Sequence, residues 1–137
     1  MTKQEFLNAV VEGSTYFAGL NFKKEDFRGL TFKNIIFKGC SFVDCSFTGA
    51  DLRQTNFTQC YLAYSDFENA DLTNAIFDRA NLYLATLHYA NCLGASFTDA
   101  LISRSHVKFA KKGNFTNVIN NKTTQPRAPY KFESDNE

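Results

Sequence analysis

From Phe17 to Val107 every fifth residue is apolar. Steps of five from Phe17 reach Phe22, Phe27, Phe32, Phe37, Phe42 and Phe47, then Leu52, Phe57, Leu62, Phe67, Leu72, Phe77 and Leu82. Leu87, Cys92, Phe97, Ile102 and Val107 complete the series without a slip. Two residues before each centre runs a second column, which from Cys40 to Ser105 holds nothing larger than Thr. A period of five matches neither a helix face at 3.6 residues nor strand alternation at 2. A repeat held this long dictates the architecture, because each unit must stack on its neighbours to bury its apolar side.

Segments such as Gly49-Ala50-Asp51-Leu52-Arg53 and Asn69-Ala70-Asp71-Leu72-Thr73 resemble the pentapeptide-repeat family, whose unit is roughly A-(D/N)-(L/F)-X-X. The resemblance covers about two thirds of the chain. It implies an all-β fold, a right-handed quadrilateral parallel β-helix with four pentapeptides per coil. It says little about function, since members of the family bind very different partners.

The chemistry of the unit agrees with such a tube. With twenty residues to a coil, positions i and i+20 stack about 4.8 Å apart, as neighbouring strands do. A narrow square interior then takes one large and one small side chain per edge, and stacked Phe rings form ladders. Asp or Asn before the centre (Asp51, Asn56, Asp66, Asp71, Asn81, Asn91) suits a chain that turns every five residues. Gly19, Gly29, Gly39, Gly49 and Gly94 share one phase, where a corner asks for a permissive backbone. The first coil is worn, with Leu20, Glu25, Leu30 and Ile35 in the small-residue column, and Glu25 is not expected to point inward.

Residues 1–13 predict a short N-terminal capping helix. Thr2 and Glu5 have capping-box spacing, Phe6, Leu7, Val10 and Val11 form an apolar side, and Gly13 ends it. Residues 14–107 form the β-helix, nearly five coils with nineteen repeat centres. Lys112 and Asn117 then break the pattern. Residues 108–119 predict a C-terminal capping turn or helix, with Phe109, Phe115, Val118 and Ile119 covering the last coil. Residues 120–137 read as a flexible, irregular tail. Its Tyr130 and Phe132 are expected to dock on the solenoid or on a neighbouring subunit.

With 137 residues and a net charge of +1, the chain is sized for one domain, and nothing global recommends nucleic acid or a membrane as partner. The absence of long apolar runs and of a signal-peptide pattern predicts a cytoplasmic location. Four cysteines agree with that. Cys40, Cys45 and Cys60 sit at the small inward position and Cys92 at a centre, where they act as small hydrophobes. Cys40 and Cys60, twenty apart, would stack closely enough for a bridge, but free thiols are the expectation.

Outward residues fall on four faces. The face centred on Phe22, Phe42, Leu62, Leu82 and Ile102 presents Val43, Tyr61, Tyr64, Tyr83, Leu84 and Leu101, and Tyr89 extends this patch around a corner. Clustered exposed apolar groups mark a contact surface, and Tyr is an interface residue. The competing reading is that stacked Tyr on a β-face simply stabilises its cross-strand neighbours.

Between Thr48 and Val107 six acids face three arginines, a net of −3, whereas Lys23, Lys24, Arg28, Lys33 and Lys38 make the first coils basic. Several family members resemble B-form DNA and engage DNA gyrase or topoisomerase IV. Mimicry needs a strongly negative surface, which this chain lacks. Nor does any insertion interrupt the repeat, whereas some quinolone-resistance members carry loops implicated in action on topoisomerase. Residues 39–52 nevertheless look much like stretches of that group.

Catalytic chemistry is not expected. His88 and His106 share a face with Asp66 and Glu68, a conceivable cation site, but solvated surface is the reading taken and no metal or cofactor is assigned. There is no Gly-rich phosphate loop, and no Ser or Cys nucleophile has a recognisable base. The sequence therefore predicts a non-enzymatic protein-interaction scaffold that uses its outer faces, with a homodimer compatible. The alternative is a topoisomerase-binding protein of the quinolone-resistance type.

Overall fold

A computed structural model describes residues 1–102 and the backbone of residues 119–120. The chain begins with helix α1 (Lys3–Val11). Six short strands follow: β1 (Tyr16–Ala18), β2 (Asn21–Lys23), β3 (Ile36–Lys38), β4 (Ser41–Val43), β5 (Asn81–Leu82) and β6 (Leu101–Ile102). A seventh, β7 (Ile119–Asn120), lies beyond them. Pairing is parallel with a register of twenty: Phe17 opposes Phe37, Phe22 opposes Phe42, and Leu82 opposes Ile102. Isolated parallel bridges such as Ser46↔Asp66 and Asp51↔Asp71 carry the same register between the strands. Corners every five residues and pairing every twenty give a β-helix solenoid with four sides.

One repeat shows why the backbone closes on itself. In residues 66–70 the Asp66 N–H donates to the Cys45 carbonyl in the layer below, at 3.0 Å. Phe67 and Asn69 donate to Thr86 and His88 in the layer above, at 2.9 and 3.0 Å. The Ala70 N–H turns back to the Phe67 carbonyl at 3.0 Å. The remaining donor, Glu68 N–H, is taken by the Asp66 carboxylate at 2.9 Å. All five donors are satisfied, as a polar backbone wrapped around an apolar core requires. Asn56, Asp71, Asn81 and Asn91 repeat the Asp66 role, so the acid or amide before each centre serves the turn by capping a backbone donor.

The corner residue is left-handed throughout. From Gly19 to Asp99 every fifth residue has φ between 53° and 73°, whether or not it is glycine. Lys24, Asn34, Asp44 and Gln54 thus hold the same conformation as the glycines between them.

Corners come in two kinds. The hydrogen bond from the small-column N–H to the centre carbonyl three residues back closes the corner after Phe27, and every corner from Phe47 to Phe97. After Phe17, Phe22, Phe32, Phe37 and Phe42 no such bond is present among the described residues. There the centre carbonyl accepts a side chain from the layer above: Cys40, Cys45, Thr55, Cys60 and Ser65 donate to these five carbonyls in order. The inner cysteines are therefore backbone-capping groups as well as space fillers. All four thiols are free and buried.

The core is one continuous cluster. Phe17, Phe37, Phe57, Phe77 and Phe97 stack in one column, the last pair 4.8 Å apart with parallel rings. Phe27, Phe47 and Phe67 stack in the opposite column, and the two columns meet edge to face, as Phe67 and Phe77 do at 5.7 Å and 86°. Leu62 and Leu82 fill the second side and Leu52 and Leu72 the fourth, all fully buried.

At the first coil α1 drops Phe6 into this stack. Its ring lies 4.9–6.0 Å from those of Phe17, Phe22, Phe27, Phe32 and Phe37. The capping box is formed in both directions, Glu5 N–H to Thr2 Oγ1 at 3.1 Å and Thr2 N–H to Glu5 Oε1 at 2.8 Å. Gly13, at φ 99°, ends the helix. The apolar side differs from the expected one at two residues: Val11 is 87% exposed, and Ala9 packs inward with Leu7 and Val10. Val11 lies five residues beyond Phe6, off the face that Phe6 and Val10 share at i, i+4. Glu25 stays half-buried at the edge and lies 3.8 Å from Lys3 of the helix.

The predicted C-terminal cap and tail, with Phe109, Phe115, Val118, Tyr130 and Phe132, lie outside the described residues, as does His106. Ile119 and Asn120 form a strand where a capping turn or helix was expected up to Ile119. They pair with Leu101 and Ile102, so the step between layers there is eighteen residues instead of twenty. Pairing supplies hydrogen-bond partners that the exposed edge of β6 would otherwise lack.

Candidate interaction surface

The face that carries β2, β4, β5 and β6 is set by the alternation of inward centres and outward neighbours. In its leading outward column Tyr61 bridges to Ser41 below and Asn81 above, and Asn81 pairs in turn with Leu101. The trailing column runs Lys23, Val43, Ala63, Tyr83, and the corner column Lys24, Asp44, Tyr64, Leu84. Tyr64 and Tyr83 are brought together: their rings meet edge to face at 5.6 Å and 83°. The Tyr64 N–H also donates to the Tyr83 carbonyl at 2.8 Å. Ala63 between them is buried although it faces outward and is not part of the core cluster.

Exposure divides the predicted patch. Tyr64, Tyr61 and Tyr83 remain 50%, 45% and 37% exposed. Val43, Leu84 and Leu101 are half-buried. Asn81 lies between Tyr61 and Leu101 in their shared column. Tyr89, 54% exposed, stands at the next corner, one edge further round.

Tyr64, Leu84 and Tyr89 all occupy left-handed corners, at φ 64°, 53° and 59°. Bulky side chains are costly there, by about 1–2 kcal/mol each, which is why Gly, Asn and Asp are the usual occupants.

A further apolar stripe was missed in the sequence. Tyr16, Ile36 and Ile76 are exposed along the Phe17 face, interrupted by Asn56, with Leu93 exposed on the side before it. The signal was present: each of the three replaces the Asp or Asn usual before a centre.

On the other two sides two acids are paired with an arginine of their own repeat. Arg28 chelates the Asp26 carboxylate at 2.8 and 2.9 Å, and Arg53 does the same to Asp51 at 2.7 and 2.8 Å. These bonds hold both carboxyls below the ordinary range. On the Phe27 face Glu68 and His88 occupy successive layers of one column, but no group of three metal-capable side chains occurs among the described residues. The open surface formed at the first coils by Lys24, Glu25, Asp26, Arg28, Asp44 and Ser46 holds the Asp26–Arg28 ion pair. No described helix is long and apolar enough to cross a membrane.

A family model described as pentapeptide repeats matches in eight copies, over residues 26–62, 40–79 and 65–104, which together span more than half the chain. Among solved structures, HetL from the cyanobacterium Nostoc sp. strain PCC 7120 is a pentapeptide repeat protein involved in heterocyst differentiation regulation. It is 19% identical with a TM-score of 0.56, and the match covers 80% of this chain and 48% of HetL. This chain thus spans about half the length of HetL, and the likeness is one of fold. A pentapeptide repeat protein of the Arabidopsis thaliana thylakoid lumen is 22% identical with a TM-score of 0.43, over 79% of this chain and 83% of its own. QnrB1, a plasmid-mediated fluoroquinolone resistance protein, is 22% identical with a TM-score of 0.39, over 64% of this chain and 63% of its own. A comparison with curated proteins gives no match.

Proposed function

The chain belongs to the pentapeptide-repeat family, and on that premise we propose that it is a non-enzymatic scaffold whose Tyr61–Tyr64–Tyr83 face seats a partner protein. The observation that carries this reading is the Tyr64–Tyr83 ring pair, held on a rigid ladder and still open to solvent. Tyr side chains present large area at small entropy cost, as interface anchors do.

Three finer features of the tube belong to the same proposal. Its winding is right-handed, the hand of nearly all parallel crossovers. The repeat makes nearly five coils between residues 14 and 107. Helix α1 acts as the cap of the first coil, where Phe6 covers the end of the stack.

The topoisomerase reading draws little from residues 39–52. Cys40, Phe42, Cys45, Phe47, Ala50 and Leu52 of that segment are all buried, so the likeness lies in residues that build the tube.

The test is affinity capture from the source cells with wild type and Tyr64→Glu/Tyr83→Glu as paired baits, both checked for an intact β-fold. A stoichiometric partner held by wild type and lost from the variant supports the reading. Equal capture by both overturns it. If the partner retained is a type II topoisomerase, a supercoiling assay with the purified enzyme then decides between inhibition and protection.

A further inference from the structure

We propose that the Tyr face takes a short, extended, arginine-bearing segment of the partner. One main-chain carbonyl of that segment accepts the Ala63 N–H, and a guanidinium lies on the Tyr64 ring beside Asp44, Asp66 and Glu68. The inference rests on the scaffold reading above and names the chemistry of what the scaffold holds.

The first argument is a backbone donor without an acceptor. Where Asp or Asn precedes the centre, its side chain takes the N–H that follows the centre, as Asn56 does for Thr58, Asp66 for Glu68 and Asn81 for Tyr83. In the repeat of Ala63 that position holds Tyr61, which has no acceptor so close to the backbone. No hydrogen bond from the Ala63 N–H is present among the described residues. The N–H groups of Lys33, Thr48 and Asp78 are uncapped too, but those residues are exposed or half-buried and water reaches them. Ala63 is fully buried. An amide in that state costs stability, which an arriving acceptor restores. Tyr61 starts from the position whose side chain elsewhere covers this N–H, and it is the ring placed to turn aside.

Charge is the second argument. Asp44 lies directly below Tyr64 in the corner column, and its N–H donates to the Ala63 carbonyl at 2.9 Å. Asp66 and Glu68 follow around the corner on the next side. Among the described residues none of the three is in an ion pair. The nearest cations in register are Lys24, below Asp44, and Arg79, at the corner that leads into the face. Carboxylates beside an open ring suit arginine, whose planar guanidinium stacks on an aromatic face and keeps N–H groups for a carboxylate.

Extent excludes a second copy of the chain as the occupant. From Val43 to Leu84 the patch is three layers tall and one side wide, roughly 15 by 10 Å at strand spacings. A standard interface buries about 800 Å² on each partner. Roughly four or five extended residues span the patch.

The probe is a capped heptapeptide of alternating alanine and arginine, which sets its arginines on one side when extended. Its control carries citrulline, neutral and of similar shape, in place of arginine. Each is titrated at low salt into the isotope-labelled full chain and followed by NMR. The expected result is saturable binding that moves the Ala63 amide proton downfield and shifts the Tyr64 signals. Affinity should be roughly fivefold weaker for the citrulline peptide, and for the arginine peptide on Asp44→Asn/Glu68→Gln. Tyr61→Asn supplies an internal cap of the kind Asn56 and Asn81 form, so the folded variant should lose the Ala63 response. An Ala63 amide that stays in place overturns the inference, and so does equal affinity for the two peptides. Movement of the same signals on dilution of the protein alone also overturns it, in favour of a second copy.

Capture with paired baits separates this inference from the one beneath it. Loss of the partner from Tyr64→Glu/Tyr83→Glu but not from Asp44→Asn/Glu68→Gln would spare the scaffold and sink the arginine segment. Peptide binding at Ala63 with no partner lost from either bait would spare the peptide site and sink the scaffold.

Discussion

The Cys60 thiol donates to the Phe37 carbonyl oxygen 23 residues earlier at 3.2 Å, and the corner after Phe37 lacks the turn hydrogen bond found where Ala lies above. One side chain thus sets the backbone of the layer beneath it. Cys60→Ala is expected to convert that corner to the closed kind, with the Cys40 N–H donating to Phe37, at a cost of about 1 kcal/mol. Slower amide exchange at Cys40 would show the conversion. An unchanged Cys40 amide in a folded variant would contradict it.

The thiols also predict an alkaline limb in stability. Burial pushes the Cys45 thiol up to about 11, and Cys60 and Cys92 up to about 12, from an ordinary value near 9.0. Because the folded values are raised, the stability linked to these groups is complete below pH 9 and is lost as pH climbs from 9 towards 12. Denaturation midpoints measured between pH 8 and 11 should fall for wild type, and less steeply for Cys45→Ala/Cys60→Ala. The native thiols should also resist a disulfide reagent at pH 8 until the chain is unfolded.

Glycine matters most where space is also short. Gly49 and Gly94 share the left-handed corner conformation, but a Cβ at Gly49 would meet nothing within 4 Å. At Gly94 it would come within 2.1 Å of Asn74 Oδ1. Gly49→Ala should therefore cost about 1 kcal/mol from backbone strain alone, and Gly94→Ala slightly more, because the Asn74 amide must also turn aside. Adding Asn74→Gly should bring the Gly94→Ala penalty down to that of Gly49→Ala in urea unfolding. Equal penalties for the two single changes would refute this packing.

Much of this was legible in the sequence because the interior permits little else. The run of centres from Phe17, the small column and the register of twenty all come from side-chain size in a narrow tube. The capping box at Thr2 and Glu5 and the free, buried cysteines follow from local chemistry in the same way. The two kinds of corner were not legible, since the deciding residue lies 23 positions away and becomes a neighbour only after coiling. Val11 was misplaced because a one-residue difference in helix phase separates it from Val10. The patch was readable as residue types on one face, but its internal division was not. Asn81 separates Tyr61 from Leu101 in their shared column, which only the coiled register reveals. The stripe of Tyr16, Ile36 and Ile76 escaped because Asn56 interrupts it.

The central claim is that Tyr64 is held at a strained corner for contact, not for folding, and Tyr64→Asn tests it most directly. Asn34, Asn69 and Asn74 occupy equivalent corners with φ near 60°, so the exchange removes the ring and suits the backbone. Relief of corner strain and loss of the Tyr83 ring contact should nearly cancel, leaving stability within about 1 kcal/mol of wild type. The measurement is a titration of the captured partner against wild type and Tyr64→Asn. The account predicts at least a tenfold loss of affinity in a variant of near-native stability. Undiminished affinity would show that Tyr64 serves the tube alone, and the Tyr face would lose its claim to be the binding surface.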